Sequence, residues 1–405
     1  MVYIISVSDK LLTGKQINTI SAYFAEMLFK YNFKIANQII IPSSYDFSSL
    51  LKQKKTGDIF IFLSEKGNLE LNQALAQITD CDIKENENVK DAIYEYYRKR
   101  NCPLERESEN EWKLPAKARA IINPNNTTQG YIINNQDTIY CVLPTNYLDS
   151  IQMFNDVVLD YLITTQKKKY KNYTFKTFGL TVANLNSILA DLIKNKDKVS
   201  INLFEKDCSV DIVVKAQEDN EKLDEISKKI FLKLDKYIYS VGDVPISKVA
   251  YDLIKLNDLK ISFAETITGG KIASNFITQG QDAHCFVVES MVVNSDISKK
   301  KLLKIDDMQN FDGKVSVELA HQIALNLLEG TDTDIVVSSI ATPVDNQNPT
   351  CLCYIAVGDR REIHIFKNMF AGAFCDIIEN IVTASYFYLI KKLKKNDFHF
   401  EKSTV

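Results

Sequence analysis

The sequence predicts an α/β protein with three domains, and three observations support this. Short β-rich runs alternate with amphipathic stretches up to about residue 165, a pattern typical of a parallel sheet with crossover helices. The same alternation returns after about residue 246, and the shorter stretch between fits a small α+β module. A chain of 405 residues has room for two or three domains. We therefore predict domains at 1–165, 172–243 and 246–397.

In the first domain, four β-rich runs predict strands and two amphipathic stretches predict helices. The strands are predicted at 2–7, 33–41, 58–63 and 138–143, and the helices at 16–31 and 89–97. The segment "TTQKKKYKNYT" at 164–174 then breaks the pattern with a run of lysines. We predict a solvated linker there, because the run is short and no second basic cluster extends it into a nucleic-acid patch.

The middle domain reads as two helices and two strands. The helices are predicted in "VANLNSILADLIK" and "EKLDEISKKIFLKLDKYIYS", and the strands in "VSINLFEK" and "SVDIVVKA". The glycine and proline of "SVGDVP" mark the next boundary. From 246 to 395 we predict helix, strand, helix, strand, helix, three successive strands and a long closing helix.

Composition and charge narrow the range of partners. The chain is 45% hydrophobic and 25% charged with a net charge of −3, so it has no global field to attract nucleic acid or anionic lipid. Eight scattered cysteines without a CxxC pair, and a start unlike a signal peptide, favour a reducing cytoplasm. The apolar runs are shorter than the roughly 20 residues that span a bilayer, so we predict no membrane partner. Four histidines without ligand spacing predict no metal site, and we expect no cofactor.

The stretch "ISFAETITGG" at 261–270 is the strongest candidate for a functional site. A strand that passes into a helix through two glycines surrounds the turn with backbone N–H groups and the positive helix end, which suits an anion or an oxyanion. An alternative stays open: Thr268 only caps the helix, and Gly269 and Gly270 only allow close packing.

Several motifs carry a resemblance to a known family. "AETITGGKIASNFIT" resembles the AE-S-x-TGG signature of the CinA family's C-terminal domain, and the similarity continues through "MVVNSDISKKKLLKI", "GKVSVELAHQIA" and "DIVVSSIATPVDN". Upstream, "VSDKLLTGKQINT", "NPNNTTQGY" and "CVLPTNYLDSIQMF" are similar to the family's N-terminal motifs. The middle unit resembles the KH-like module of long CinA proteins. The resemblance therefore covers nearly the whole chain in the family's domain order.

The resemblance implies a molybdopterin-binding-like N-terminal domain associated with ADP-ribose hydrolysis, and a C-terminal amidase that deamidates nicotinamide mononucleotide. By this likeness Thr266 is the nucleophile and Lys299 the proton acceptor. The substrate-binding positions implied by the family are Glu265, Thr268, Gly269, Gly270, Asn294, Ser338 and Thr342. A pyridine nucleotide is then the expected partner, and a homo-oligomer such as a dimer is expected by resemblance only.

The chain departs from the family pattern at several positions. Threonine replaces the family's serine at Thr266, Asn294 replaces a tyrosine, and the TGIAGP loop has lost two glycines at Ser339 and Thr342. In the N-terminal domain, "LSEKGNLELN" replaces the phosphate-cradling GGLGPT-x-DD loop, so we expect no ADP-ribose pyrophosphatase activity. The middle module lacks a GxxG loop, which favours a spacer or dimerisation role over RNA binding.

Two functions therefore stay open. The chain is either a competence/damage-inducible, CinA-like amidase of pyridine-nucleotide recycling, or a catalytically inactive homologue that acts as a nucleotide-binding or assembly protein.

Overall fold

The computed structural model describes residues 1–51, 55–65, 68–104, 110–194, 198–206, 208–295, 315–344 and 349–394. Within them the chain divides into two units. The first comprises Met1–Asn172 and Lys215–Asp219, and the second comprises the described residues of Tyr173–Val214 and Asn220–Val405. Both units combine strands with helices, so the predicted α/β class is confirmed. The predicted three-domain boundaries stay a prediction.

The first unit is built around a six-stranded sheet in the described residues. Its strands are β1 (Val2–Val7), β2 (Ile35–Ile41), β3 (Ile59–Ser64), β4 (Ile83–Glu85), β5 (Lys113–Pro115), β6 (Arg119–Ile121), β7 (Gly130–Asn135) and β8 (Thr138–Leu143). Its helices are α1 (Asp9–Leu12), α2 (Thr19–Lys30), α3 (Phe47–Leu51), α4 (Leu69–Ile78), α5 (Glu87–Lys99), α6 (Tyr147–Met153) and α7 (Leu159–Thr165), with a π-helical turn at Phe154–Val158. The sheet order is β2-β1-β3-β8-β7-β6, and β4 pairs with β5 separately.

The central strands of this sheet account for the β-rich runs that alternate with amphipathic stretches in the sequence. β1, β2, β3 and β8 pair in parallel, while β7 and β6 add an antiparallel edge. Every residue of β3, "IFIFLS", is buried, as expected for a central parallel strand covered on both faces. The parallel sheet predicted from the sequence is therefore confirmed for the first four β-rich runs.

What we call the middle module, defined as β9 to β12 and α8 to α10, lies in the second unit except for residues 170–172 of β9 and 215–217 of β11, which belong to the first. Its strands are β9 (Tyr170–Phe178), β10 (Ser200–Lys206), β11 (Ser209–Gln217) and β12 (Ile238–Val241), in the order β10-β11-β9-β12. Its helices are α8 (Val182–Ile188), α9 (Ala190–Ile193) and α10 (Lys222–Leu234).

Two strands of the middle module were not predicted. The proposed linker at 164–174 is wrong except at residues 166–169, because α7 runs to Thr165 and β9 starts at Tyr170. The predicted helix that ran to residue 240 ends at Leu234, before β12. The polar residues of β9 hid the strand from sequence reasoning. Lys176, for example, is buried because its ammonium group pairs with Asp211 at 3.1 Å and with Asp243 at 3.0 Å.

The remainder of the second unit contains a five-stranded sheet in the order β14-β13-β15-β16-β17. The strands are β13 (Ile261–Glu265), β14 (Val287–Val292), β15 (Ile335–Ala341), β16 (Thr350–Gly358) and β17 (Ile363–Ala371). The helices are α11 (Ile246–Leu256), α12 (Lys271–Ile277), α13 (Val317–Gly330) and α14 (Phe374–Leu393), with a 3-10 turn at Ala283–Phe286. The helices and strands predicted for 246–395 occur in this order.

The path of the chain creates a topological switch at β13. β14 and β15 lie on opposite sides of β13, and both run parallel to it. Helix α12 packs on one face of the sheet beside Phe263, and α13 packs on the other face beside Ala264. In open α/β sheets such a reversal leaves a crevice outside the carboxyl ends of the strands, where ligands bind. Among the described residues, we find no helix with the length and apolar character needed to cross a membrane.

Candidate functional site

The candidate site lies at the carboxyl ends of β13, β14 and β15. Strand register places Glu265, the last residue of β13, between Val292 of β14 and Ser339 of β15. Three segments that are distant in sequence therefore meet at one edge of the sheet. The predicted site residues at 265–270, 294 and 338–342 belong to these segments.

Glu265 organises the turn that follows β13. Its side chain is buried, with a relative exposure of 1%. One carboxylate oxygen accepts hydrogen bonds from the Thr268 hydroxyl at 2.7 Å and the Ile272 N–H at 3.0 Å, and the other accepts from the Ala273 N–H at 2.9 Å. Charge-assisted bonds of this kind compensate a buried carboxylate, and the helix dipole adds to them. Glu265 therefore accepts hydrogen bonds from two of the first N–H groups of α12. A ligand could bind these groups only by displacing the Glu265 carboxylate.

The glycine pair is required by the backbone of this turn. Gly269 has φ of 63° and Gly270 has φ of 92°, both in the left-handed region that favours glycine. Gly270 is the N-cap residue of α12 and Thr268 donates to Glu265, so the alternative in which Thr268 caps the helix is wrong. A Cβ at Gly269 would meet no described atom within 4 Å. Among the described residues, therefore, no atom fills the space next to Gly269.

Thr266 joins the end of β13 to β15. Its side chain is 6% exposed, and its hydroxyl donates to the Ser339 carbonyl at 3.2 Å and accepts from the Ala341 N–H at 3.1 Å. The Thr268 and Ser339 hydroxyls lie 3.5 Å apart beside it. The structure thus brings the Thr268 and Ser339 hydroxyls together next to Glu265, but holds the hydroxyl of the predicted nucleophile, Thr266, by two bonds to the backbone of β15.

The positions where glycines of the family motif are missing have ordinary strand geometry. Ser339 lies within β15, and neither it nor Thr342 is among the residues with positive φ. The Thr342 hydroxyl accepts from the Leu352 N–H at 3.0 Å, which extends the pairing of β15 with β16. Ser338 is fully buried, and its hydroxyl finds no hydrogen-bond partner in the part of the chain that the structure describes.

Two predicted residues lie away from this cluster or outside the described part of the chain. Asn294 is exposed just after β14, next to Val293, whose N–H donates to the Glu265 carbonyl at 2.7 Å. Lys299, the predicted proton acceptor, lies outside the described residues. Its position relative to Thr266 therefore stays a prediction.

Sequence reasoning missed Tyr386 of α14. This side chain is fully buried and its hydroxyl donates to the Ile272 carbonyl in the first turn of α12. Burial, and to a smaller degree the charge of Glu265, raise the pKa of Tyr386 well above its usual value, so it stays a donor. Its sequence context, "TASYFYLI", indicates only a buried helix and carries no signal for this contact.

The N-terminal unit has a small polar cavity of about 30 Å³ at the carboxyl ends of β3 and β8. It lies beside the segment 63–72, of which residues 66 and 67 are outside the described residues. Asn72, one of the lining residues, accepts from the Tyr131 hydroxyl at 2.6 Å and donates to the Lys113 carbonyl at 3.1 Å. Asn68 caps α4 by accepting from the Leu71 N–H at 3.0 Å. These amide groups are therefore used within the fold.

Comparison with known proteins places these observations in a family. Residues 244–393 match the family model of the CinA C-terminal domain. The chain is also 26% identical over 388 residues to a putative competence-damage inducible protein of Caldicellulosiruptor saccharolyticus, covering 92% of this chain and 94% of that one. The chain belongs to the CinA family.

Another relative matches over a similar span, and a solved structure matches a shorter part of the chain. A CinA-like protein of Kosmotoga olearia is 26% identical over 398 residues, covering 91% of this chain and 96% of the relative. A crystal structure of the protein CinA from Thermoplasma acidophilum matches 39% of this chain and 97% of its own, at 18% identity and a TM-score of 0.34. The resemblance stated from the sequence motifs is therefore confirmed at the level of the family.

Proposed function

We propose that the C-terminal part of this CinA-family chain binds nicotinamide mononucleotide and hydrolyses its amide. One observation carries the proposal: the Thr266 hydroxyl and the paired hydroxyls of Thr268 and Ser339 all lie at the carboxyl end of β13, at the switch point of the sheet. That edge is where open α/β sheets bind ligands, and no atom of the described residues fills the space next to Gly269.

The chemistry would run through an acyl-enzyme. The Thr266 oxygen attacks the amide carbon, ammonia leaves with the proton that the hydroxyl releases, and water then hydrolyses the ester to give the carboxylate and free Thr266. Lys299 is the proton acceptor assigned by family resemblance. Attack requires Thr266 to give up its hydrogen bond to the Ser339 carbonyl. At 3.2 Å this bond is longer than typical O–H···O bonds, so it is among the weaker contacts of the site.

A second candidate is a nucleotide-binding protein without turnover. Thr266 favours it, because the same hydroxyl also accepts from the Ala341 N–H at 3.1 Å and is 6% exposed. A hydroxyl held in this way connects the end of β13 to β15, and this structural role explains Thr266 without catalysis. In this candidate the site still binds the nucleotide, and a role in assembly or in a competence or damage response replaces catalysis.

The test measures ammonia release from nicotinamide mononucleotide by the full chain, together with the melting temperature with and without the nucleotide. If the chain is an amidase, Thr266→Ser should preserve or raise ammonia release, because serine keeps the hydroxyl and lacks the methyl group that restricts its rotamer. Thr266→Ala should abolish ammonia release, because alanine has no hydroxyl. The binding candidate predicts a nucleotide-dependent rise in melting temperature with no ammonia from wild type or Thr266→Ser. A chain that neither binds nor hydrolyses nicotinamide mononucleotide would exclude both candidate functions.

For the N-terminal unit we propose that the ADP-ribose pyrophosphatase site is lost. The segment 63–72 keeps only Gly67 of the glycines of the family loop and neither of its aspartates, and Asn68 and Asn72 are committed to hydrogen bonds within the fold. We expect no AMP from ADP-ribose with Mg²⁺, Mn²⁺ or Co²⁺ present. AMP production at a rate proportional to enzyme, and absent after removal of the metal, would contradict this.

A further inference from the structure

Helix α14 contacts two different partners within the second unit. Residues seven apart on a helix lie on nearly the same face, two turns from each other. Glu379 and Tyr386 form what we call the site stripe, because both contact the first turn of α12. The neighbouring residues Asn380 and Phe387, with Lys391, form the module stripe, because all three contact the middle module.

The site stripe holds α12 at the residues next to the candidate site. Glu379 forms an ion pair with Lys271, the first residue of α12, and the Tyr386 hydroxyl donates to the carbonyl of the next residue, Ile272. The N–H of Ile272 is bonded to Glu265. One peptide segment is therefore held by α14 from one side and by the buried carboxylate of the site from the other.

The module stripe holds the middle module by polar contacts that are buried. The Asn380 side-chain oxygen accepts from the Cys208 N–H at 3.0 Å, just before β11. The Lys391 ammonium donates to the Asp235 carbonyl at 3.0 Å and the Ile238 carbonyl at 3.3 Å, between α10 and β12. Asn380 and Lys391 are each 6% exposed. Moving the module away from α14 would leave these groups without partners in a dry contact, which is unfavourable.

An apolar contact adjoins these hydrogen bonds. The ring of Phe387 lies 4.8 Å from that of Phe178 at the end of β9, and both side chains are buried in the same core cluster as Ile272 and Phe276 of α12. Close-packed interiors transmit displacements, because side chains have few voids to move into. The middle module, α14 and the first turn of α12 therefore share one continuous core.

We propose that the middle module is a structural part of the C-terminal site: by docking on the module stripe it positions α14, and α14 positions the first turn of α12 beside Glu265 and Thr266. Asn380 and Lys391 are then positioning residues, although neither contacts the site. The inference rests on the proposed function only for its nucleotide readout, because the coupling itself is a property of the fold.

The first experiment uses the wild-type full chain. Amide hydrogen exchange is followed at increasing low concentrations of urea, which separates local openings from cooperative ones. We expect the N–H groups of Cys208, Ile272 and Ala273 to exchange through the same opening, with equal urea dependence. Exchange of Ile272 and Ala273 through a separate opening with smaller urea dependence would overturn the proposal.

The second experiment breaks the docking from the module side. Asn380→Ala removes one hydrogen bond and Lys391→Met removes two. The exchange protection of Ile272 and Ala273 should fall by about tenfold in Asn380→Ala and by at least as much in Lys391→Met. Lys391→Arg keeps a donor and should restore most of the protection. The matched control is Glu225→Gln, which removes an exposed ion pair with Lys229 on α10 and should change nothing. Loss of protection at Cys208 with unchanged Ile272 and Ala273 would refute the coupling.

The nucleotide readout separates this inference from the proposed function. Asn380→Ala and Lys391→Met should raise the dissociation constant of nicotinamide mononucleotide about tenfold, in parallel with the exchange result. A wild-type chain that binds no nucleotide would refute the proposed function, while the exchange measurements would still decide the coupling. Should either variant fail to fold, the wild-type exchange pattern alone decides it.

Discussion

Replacing Glu265 by glutamine tests whether its carboxylate holds the turn of the candidate site. Both of its oxygens accept backbone N–H groups, from Ile272 at 3.0 Å and from Ala273 at 2.9 Å. A glutamine has one oxygen and one NH₂ group in their place. Whichever way it is oriented, one of these buried N–H groups faces a donor.

The magnitude follows from these contacts. A buried donor without a partner costs about 1–3 kcal/mol, and loss of a buried negative charge at a helix N-terminus costs up to about 2 kcal/mol. Removing the charge also removes the cost of burying it, which offsets part of this sum. We therefore expect Glu265→Gln to destabilise the second unit by about 2–4 kcal/mol, or a fall in melting temperature of roughly 5–15 °C for a unit of this size.

The assay can report the two units separately. The only tryptophan of the chain, Trp112, lies in the first unit, so its fluorescence follows that unit, whereas far-UV circular dichroism follows both. Glu265→Gln should move the circular dichroism transition and leave the fluorescence transition unchanged. Glu318→Gln is the control, since Glu318 is an exposed acid in the first turn of α13, and its loss should lower the stability far less than the loss of the buried Glu265. Equal stability of the two variants would refute the reasoning.

Two further predictions concern the same unit. In a thermal melt, Gly270→Ala should destabilise the second unit by about 1–2 kcal/mol, because alanine disfavours the positive φ of this residue. Gly269→Ala should cost less, because only a Cβ at Gly270 would also lie 3.3 Å from Val292. A larger effect of Gly269→Ala would contradict this. Burial lowers the pKa of Lys391 from its ordinary 10.5 to about 8, so between these values the unfolded chain binds the extra proton and stability should rise with pH. In urea titrations, the free energy of unfolding of wild type should therefore rise relative to that of Lys391→Met by at most about 3 kcal/mol between pH 8 and 10.5. A difference between the two proteins that does not change with pH would disprove this.

Periodicity predicted the four parallel strands and two of the helices of the first unit, and the elements of 246–395, because these strands are apolar runs and these helices are amphipathic. It failed for β9 and β12 of the middle module. β9 carries Lys176, which becomes buried through partners such as Asp211, a residue that is distant in sequence. The amphipathic pattern of α10 runs on into β12 in the sequence, and no glycine or proline marks the end of the helix. A pattern of polar residues alone cannot distinguish a solvated segment from a strand whose charges are paired.

The sequence by itself determined that Gly269 and Gly270 form a strand-to-helix turn, and its motifs gave the resemblance to the CinA family. Only the tertiary structure decided what the hydroxyl and carboxyl groups do there. Thr266 bonds to the backbone of Ser339 and Ala341, Thr268 donates to Glu265, and Tyr386 holds α12 from a helix 114 residues away in sequence. Backbone conformation and apolar periodicity are local properties, whereas a hydrogen bond depends on which polar atoms the packed elements bring within about 3 Å of each other.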